Sequence, residues 1–177
     1  MRGIRWCAPV LALVPLALLT SCTASDNGTG DKNAPLPRKS RADAQAAAAA
    51  FVESLARSAG APIDAKSIKP EFSDCIGRND ETAQDGRFFL TYRAHSPLVR
   101  ARQGQAGARV RDDLKKQSAE DISFRDDDSL EPAVLLEGHD PKTHFSIDVS
   151  GYRDPDEMHF VVSTPCYLPP GARQQHF

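Results

Sequence analysis

The sequence lacks the signatures of several large functional classes. No Gly-x-Ser-x-Gly elbow, phosphate-cradling glycine loop or dinucleotide fingerprint occurs in its 177 residues. The acid-rich segments Arg78–Gly86 and Arg125–Ser129 do not have the Asp/Asn alternation and distal Glu of an EF-hand loop, which argues against calcium. The formal net charge is only −2, so no electrostatic attraction to nucleic acid or to an anionic bilayer is expected.

Long apolar runs are also scarce. The single run, Trp6–Leu19, is too short to cross a hydrocarbon core of about 30 Å, and it contains Pro9 and Pro15. It follows a basic start with Arg2 and Arg5. This pattern predicts an export signal rather than a membrane-spanning helix.

The residues that end this run carry a resemblance. Leu19-Thr20-Ser21-Cys22 resembles the lipobox of bacterial lipoproteins, in which the cysteine receives a diacylglyceryl group and the chain is cut just before it. The resemblance implies that residues 1–21 are a lipoprotein signal peptide and that Cys22 anchors the chain to the outer face of the cytoplasmic membrane. Two acyl chains suit this role, because one alone binds membranes marginally. The alternative, a secreted protein without lipid, leaves Cys22 without a purpose.

The resemblance to a lipobox assigns a role to each of the few cysteines. Of the four, Cys7 would leave with the signal peptide and Cys22 would carry the lipid, which leaves Cys75 and Cys166. In an oxidising compartment this pair predicts a disulfide. The bridge would close a loop of about 90 residues, worth roughly 4–5 kcal/mol in the chain-entropy model. An excess of arginine over lysine and many alanines resemble the small envelope lipoproteins of actinomycetes, a resemblance that implies no activity.

The exported part divides into a tether and one domain. Residues 22–39 are small and polar, with Gly and Pro, and predict a lipidated cysteine followed by a flexible tether. Residues 40–177 predict a single globular domain. A first helix is expected from Ser40 or Asp43 to just before Gly60, with an alanine-rich face for core packing or, alternatively, for a partner helix.

The rest of the domain predicts an α+β fold. Segment 71–77 is a short possible strand, and segment 87–95 alternates as a clear strand. Ser96-Pro97 is typical of a helix start, with a second helix reaching about Gln117 and weakened in its middle by Gly104 and Gly107. Strands joined by hairpins follow at 121–125, 133–137, 143–150 and 158–164. We expect a two-layer sandwich of two helices on a mainly antiparallel sheet of about five strands, with one disulfide.

The last hairpin yields the one carboxylate–imidazole pair that the sequence places together. Pairing Val149 with Met158 and Ile147 with Phe160 keeps apolar side chains on one face, which sets Asp148 opposite His159. Such a pair is able to work as an acid or base. A solvated cross-strand pair without a catalytic role is the alternative.

Two further groups of residues suggest ligand binding, but each also has a simpler structural interpretation. In the cluster His139, Asp140, His144 and Asp148, the last two lie on one face of a strand but about 13 Å apart, which is too far for a shared metal ion. His139-Asp140 lies in a hairpin turn, where such residues serve the backbone geometry, so no metal is predicted. The arginines at positions 100, 102, 109 and 111 suit an anionic polymer or phosphate, or a solvated helix face beside Asp112 and Asp113. No cofactor is expected.

Two classes of function remain. The first is a non-enzymatic module of the cell envelope, anchored by its lipid, that binds a protein partner or a small ligand. The second is an envelope hydrolase that uses Asp148 and His159. Because no catalytic set converges in the sequence, the binding module is the primary hypothesis.

Overall fold

The computed structural model describes residues 33–77 and 79–177, so the predicted signal peptide and Cys22 lie outside the described residues. In chain order the elements are α1 (Arg41–Ala59), a 3-10 turn (Ala65–Ser67), β1 (Lys69–Asp74), β2 (Phe88–Pro97), α2 (Arg100–Lys116), β3 (Glu120–Asp126), β4 (Val134–Asp140), β5 (Phe145–Arg153) and β6 (Asp156–Ser163). The predicted α+β class is confirmed, with six strands in the described part of the chain instead of about five.

One antiparallel sheet carries both helices on the same face. The strand order is β1-β2-β6-β5-β4-β3, and each neighbouring pair is antiparallel. Helix α1 packs on β2 and β6, while α2 packs on β3, β4, β5 and β6. Side chains that point the other way, such as His95, Glu137 and Ser146, are partly or fully exposed. We call this second surface the open face of the sheet.

Helix α1 begins and ends where local signals predict. The Ser40 side chain accepts a hydrogen bond from the Asp43 backbone N–H at 3.0 Å, which caps the first turn. Gly60 ends the helix in the left-handed region at φ 66°. Between them Ala44 and Ala48 are fully buried, and their small side chains let the helix lie close to the sheet.

The core lies between the helices and the inward residues of the central strands. Its largest fully buried apolar side chains are Phe88, Phe145, Phe160, Leu90, Leu136, Met158 and Leu168. Because these residues alternate along the strands with polar ones, one face of each central strand is buried and the other is left for polar side chains.

The predicted start of the second helix at Ser96-Pro97 is wrong. Strand β2 continues through Pro97, and Ser96 pairs with Met158 of β6. The buried Ser96 hydroxyl donates to the Ala61 carbonyl at 3.1 Å instead of capping a helix. Helix α2 begins at Arg100, without a side-chain cap. Pairing with a distant strand therefore overrides a local helix signal.

Part of the predicted tether contacts the domain. Residues 33–39 contact the C-terminal segment, where Lys39 N–H donates to the Leu168 carbonyl at 3.1 Å. The Leu36 N–H donates to the Gln174 side chain at 2.9 Å. The segment from Asn33 to Lys39 therefore packs on the domain, and the boundary at Ser40 stays a prediction.

The predicted disulfide is confirmed. Cys75 directly follows β1, and Cys166 lies beyond the end of β6, with 6.1 Å between their Cα atoms. The disulfide joins the end of the edge strand β1 to the C-terminal segment. That segment lies beside the start of β2, where Tyr167 pairs with Phe88.

The predicted register of the last hairpin selects the correct face but the wrong rung. Val149 pairs with Phe160 instead of Met158, which is a shift of two residues along β6. Both strands extend to the turn, where Arg153 pairs with Asp156. A shift of two keeps every side chain on its face, so the hydrophobic pattern alone cannot exclude it. Only the length of the turn fixes the rung.

Candidate functional site

The open face brings together three metal-ligating side chains from two neighbouring strands. His95 of β2 lies directly opposite His159 of β6, and Glu157 lies two residues before His159 on the same face. The two imidazole centroids are 5.1 Å apart, with an angle of 36° between the ring planes. We call these three residues the His–Glu–His cluster.

The carboxylate of Glu157 joins the two imidazoles. One of its oxygens lies 2.7 Å from His95 Nδ1, and the other lies 2.6 Å from His159 Nε2. The histidine side chains are 35% and 36% exposed, whereas that of Glu157 is only 16% exposed. The cluster is therefore open to solvent on its histidine side.

The neighbouring imidazoles determine the charge state of Glu157. Partial burial opposes ionisation, but the hydrogen bond from His159 and the charges on His95 and His159 outweigh it, so the pKa of Glu157 lies below its usual range. The carboxylate is therefore ionised near neutral pH.

Strand β5 supplies the next neighbours on the open face. The Tyr152 ring centroid is 4.7 Å from that of His159, and Tyr152 pairs with Glu157 across the strands. Burial raises the pKa of Asp148, although its carboxylate accepts a hydrogen bond from the Ser150 hydroxyl at 2.9 Å. A small depression of about 140 Å³ adjoins the histidines and is lined partly by Ser67 and Val161.

The predicted contact between Asp148 and His159 is wrong. Ser150 occupies the position opposite His159, and Asp148 pairs with Val161. The two residues share a face as diagonal neighbours, but His159 is hydrogen-bonded to Glu157 instead. His159 still interacts electrostatically with Asp148, and the hydrolase hypothesis stays a prediction.

The other histidine group lies at the opposite end of β5. The rings of His139 and His144 are 5.9 Å apart on either side of a turn. Asp140 supports that turn, because its carboxylate accepts hydrogen bonds from the backbone and the hydroxyl of Thr143. Asp148 lies farther along the strand and pairs with Glu137.

Three of the four arginines of α2 contact other parts of the domain, while Arg102 is exposed. Arg100 makes ion pairs with Asp126 and Asp128. Arg109 donates to the Ala59 carbonyl. Arg111 lies over the Phe124 ring, 5.0 Å from its centroid. These contacts favour a structural role for the arginines that make them. Asp126 and Asp128, which pair with Arg100, belong to the acid-rich segment Arg125–Ser129.

The His–Glu–His cluster was not predictable from the sequence. Glu157 follows His95 by 62 positions (157 − 95), and no local pattern indicates that β2 pairs with β6. The alternation of β2 does place His95 on the polar face, and the alternation of β6 does the same for His159. The missing information is the order of the strands.

Comparisons with known proteins give no further guide. No protein-family model matches the chain, and neither the curated proteins nor the solved structures contain a significant match. Within the part of the chain that the structure describes, none of the helices has the length and apolar character needed to span a membrane.

Proposed function

We propose that the protein is an exported module of the cell envelope, anchored by a lipid on Cys22, that binds a ligand or partner without catalysis. The Cys75–Cys166 disulfide supports the extracytoplasmic location, because such bridges persist in oxidising compartments. The same pairing leaves Cys22 available for the lipid. The resemblance of residues 19–22 to a lipobox supports the anchor.

The open face of the sheet is the proposed binding surface. It presents the His–Glu–His cluster and Tyr152 on three adjacent strands, β2, β6 and β5, while both helices pack on the opposite face. The depression beside the histidines, about 140 Å³ in volume and also lined by Lys69 and Arg93, suits a small group rather than a polymer. This geometry supports recognition more than enclosure of a substrate.

The anchor is tested by cell fractionation and by mass spectrometry of the N-terminal peptide. We expect Cys22→Ala to move the protein out of the membrane fraction and to leave no diacylglyceryl adduct. Cys7→Ala is the matched control, because it removes a cysteine from the same region and should leave anchoring intact. A Cys22→Ala protein that stays in the membrane fraction after its signal has been cut would contradict the proposal.

The binding role is tested by crosslinking the full-length protein in its own membranes. The recovered complexes are identified by mass spectrometry without reductant. A dominant partner whose crosslinks map to β2, β5 or β6 would support the open face as the binding surface. Crosslinks confined to α1 and α2 would contradict that assignment.

A further inference from the structure

We propose that His95, Glu157 and His159 bind one divalent transition-metal ion of the zinc–copper class. This inference deepens the proposed binding role of the open face and rests on it. It is independent of the lipid anchor, because the three ligands lie on paired strands of the folded domain.

The donor set fits this class of ion. Imidazole nitrogens suit zinc and copper, and one carboxylate oxygen completes a combination that occurs in zinc sites. Calcium and magnesium prefer six or more oxygen ligands, which two imidazoles do not provide. The ionised Glu157 also offsets one of the two positive charges of the ion.

The distances are close to those that coordination requires. One ligand atom from each of the three residues lies within 4.8 Å of the other two. In a tetrahedral site with bonds of about 2.0–2.1 Å, ligand atoms lie about 3.4 Å apart. The largest possible separation, 4.8 Å, exceeds this spacing by about 1.4 Å. The contacts of Glu157 with the two rings, at 2.6 and 2.7 Å, would lengthen when an ion enters between the ligand atoms.

The backbone around His95 is held in place. Its N–H donates to the Ser67 hydroxyl at 2.8 Å, and its carbonyl accepts from the Asp64 N–H at 2.9 Å. The ring of His159, on β6, packs against Tyr152 of the neighbouring strand β5. Because ordered neighbours limit the freedom of both histidines, little ordering cost remains to oppose binding.

The exposure of the histidines leaves room for further ligands. Three protein donors fill only part of the coordination shell, and the solvent side of both rings is open. Water or a donor atom from a partner would occupy the remaining positions, as in zinc sites that keep an open position. The ion would thus serve as the contact point of the binding surface.

The test is a calorimetric titration of the full-length protein in detergent, without a polyhistidine tag. The pH is set about one unit above the ordinary histidine pKa of about 6.5, because protons compete with metal ions for imidazole nitrogens. We expect one Zn²⁺ or Cu²⁺ per chain, with Cu²⁺ bound more tightly. His95→Gln and His159→Gln should each weaken binding by about tenfold or more.

The matched control is the double variant His139→Gln and His144→Gln, which removes the other histidine pair of the sheet and should leave the affinity unchanged. Electron paramagnetic resonance of bound Cu²⁺ should show coupling to two imidazole nitrogens. Absence of binding, or equal binding by the His95→Gln and His159→Gln proteins, would overturn the metal site. Either result leaves the outcome of the Cys22→Ala test unaffected, so the two proposals fail separately.

Discussion

At the scale of single residues, a buried ion pair ties the C-terminus to the sheet. Arg87 and Asp85 are only 3% and 1% exposed in their side chains, and Nη2 lies 2.6 Å from Oδ2. The same guanidinium donates to the Gln175 carbonyl and lies 4.5 Å from the centroid of the Phe177 ring. One arginine therefore connects the loop before β2 with the last residues of the chain.

Replacement of Asp85 tests this connection. Asp85→Asn should lower the free energy of unfolding by about 3–5 kcal/mol, because it leaves the buried guanidinium of Arg87 without its carboxylate. Urea unfolding measures the change. The control is Glu53→Gln, since the Arg57–Glu53 pair has a spacing of 3.9 Å, is mostly exposed and should be worth less than about 0.5 kcal/mol. Equal effects of both variants would contradict a special role for burial.

The same pair predicts a pH dependence. The hydrogen bond from Arg87 outweighs burial and holds the pKa of Asp85 well below its usual range. A carboxyl with a lowered folded pKa stabilises the fold above its unfolded pKa of about 3.9, and that stability is lost as the pH falls below this value. The urea midpoint of the unaltered protein should therefore fall more steeply between pH 5 and pH 3 than that of Asp85→Asn. Parallel curves would refute the assignment.

At the scale of elements, α2 shows why a poor helix former occupies a helix. Gly107 lies against β3 and β4, where an added Cβ would be 2.9 Å from both Phe124 Cε2 and Val134 Cγ1. Gly104, one turn earlier, faces the end of the Asp126 side chain instead. The sequence predicts that both glycines weaken the helix. The structure shows that Gly107 lets the helix approach the sheet.

The two glycines predict opposite responses to alanine. Gly107→Ala should destabilise the protein by about 1–3 kcal/mol despite the higher helix propensity of alanine, because the methyl group of the fully buried Val134 and the partly buried Phe124 ring would have to shift. Gly104→Ala should change stability by less than about 0.5 kcal/mol, since the Asp126 side chain is partly exposed and can rotate. Thermal unfolding of the two variants measures the difference. A more stable Gly107→Ala protein would show that the helix has room to shift.

The limits of sequence reasoning are visible in the same elements. Helix α1 was predictable because its cap at Ser40 and its stop at Gly60 are local. The start of α2 was not, because Ser96 is held in β2 by a strand far along the chain. The His–Glu–His cluster depends on that same pairing of β2 with β6. Local signals thus determine single elements, while the candidate site requires the order of strands.

At the scale of the whole molecule, the disulfide joins parts of the chain that are far apart in sequence. Cys75 and Cys166 are separated by 91 positions, and both lie just outside regular strands. The loop that they close contains β2, α2 and β3 through β6. Since a cross-link over a long loop restricts the unfolded chain most, the bridge should contribute strongly to the stability of the domain.

Removal of the bridge tests this contribution. The double variant Cys75→Ala and Cys166→Ala should lose about 2–5 kcal/mol of unfolding free energy in urea. Reduction of the unaltered protein with excess thiol should lower its stability to nearly the same value, and it should have no effect on the double variant. If reduction leaves the midpoint of the unaltered protein unchanged, the contacts of residues 33–39 with the C-terminal segment, rather than the disulfide, would hold the two ends of the domain together.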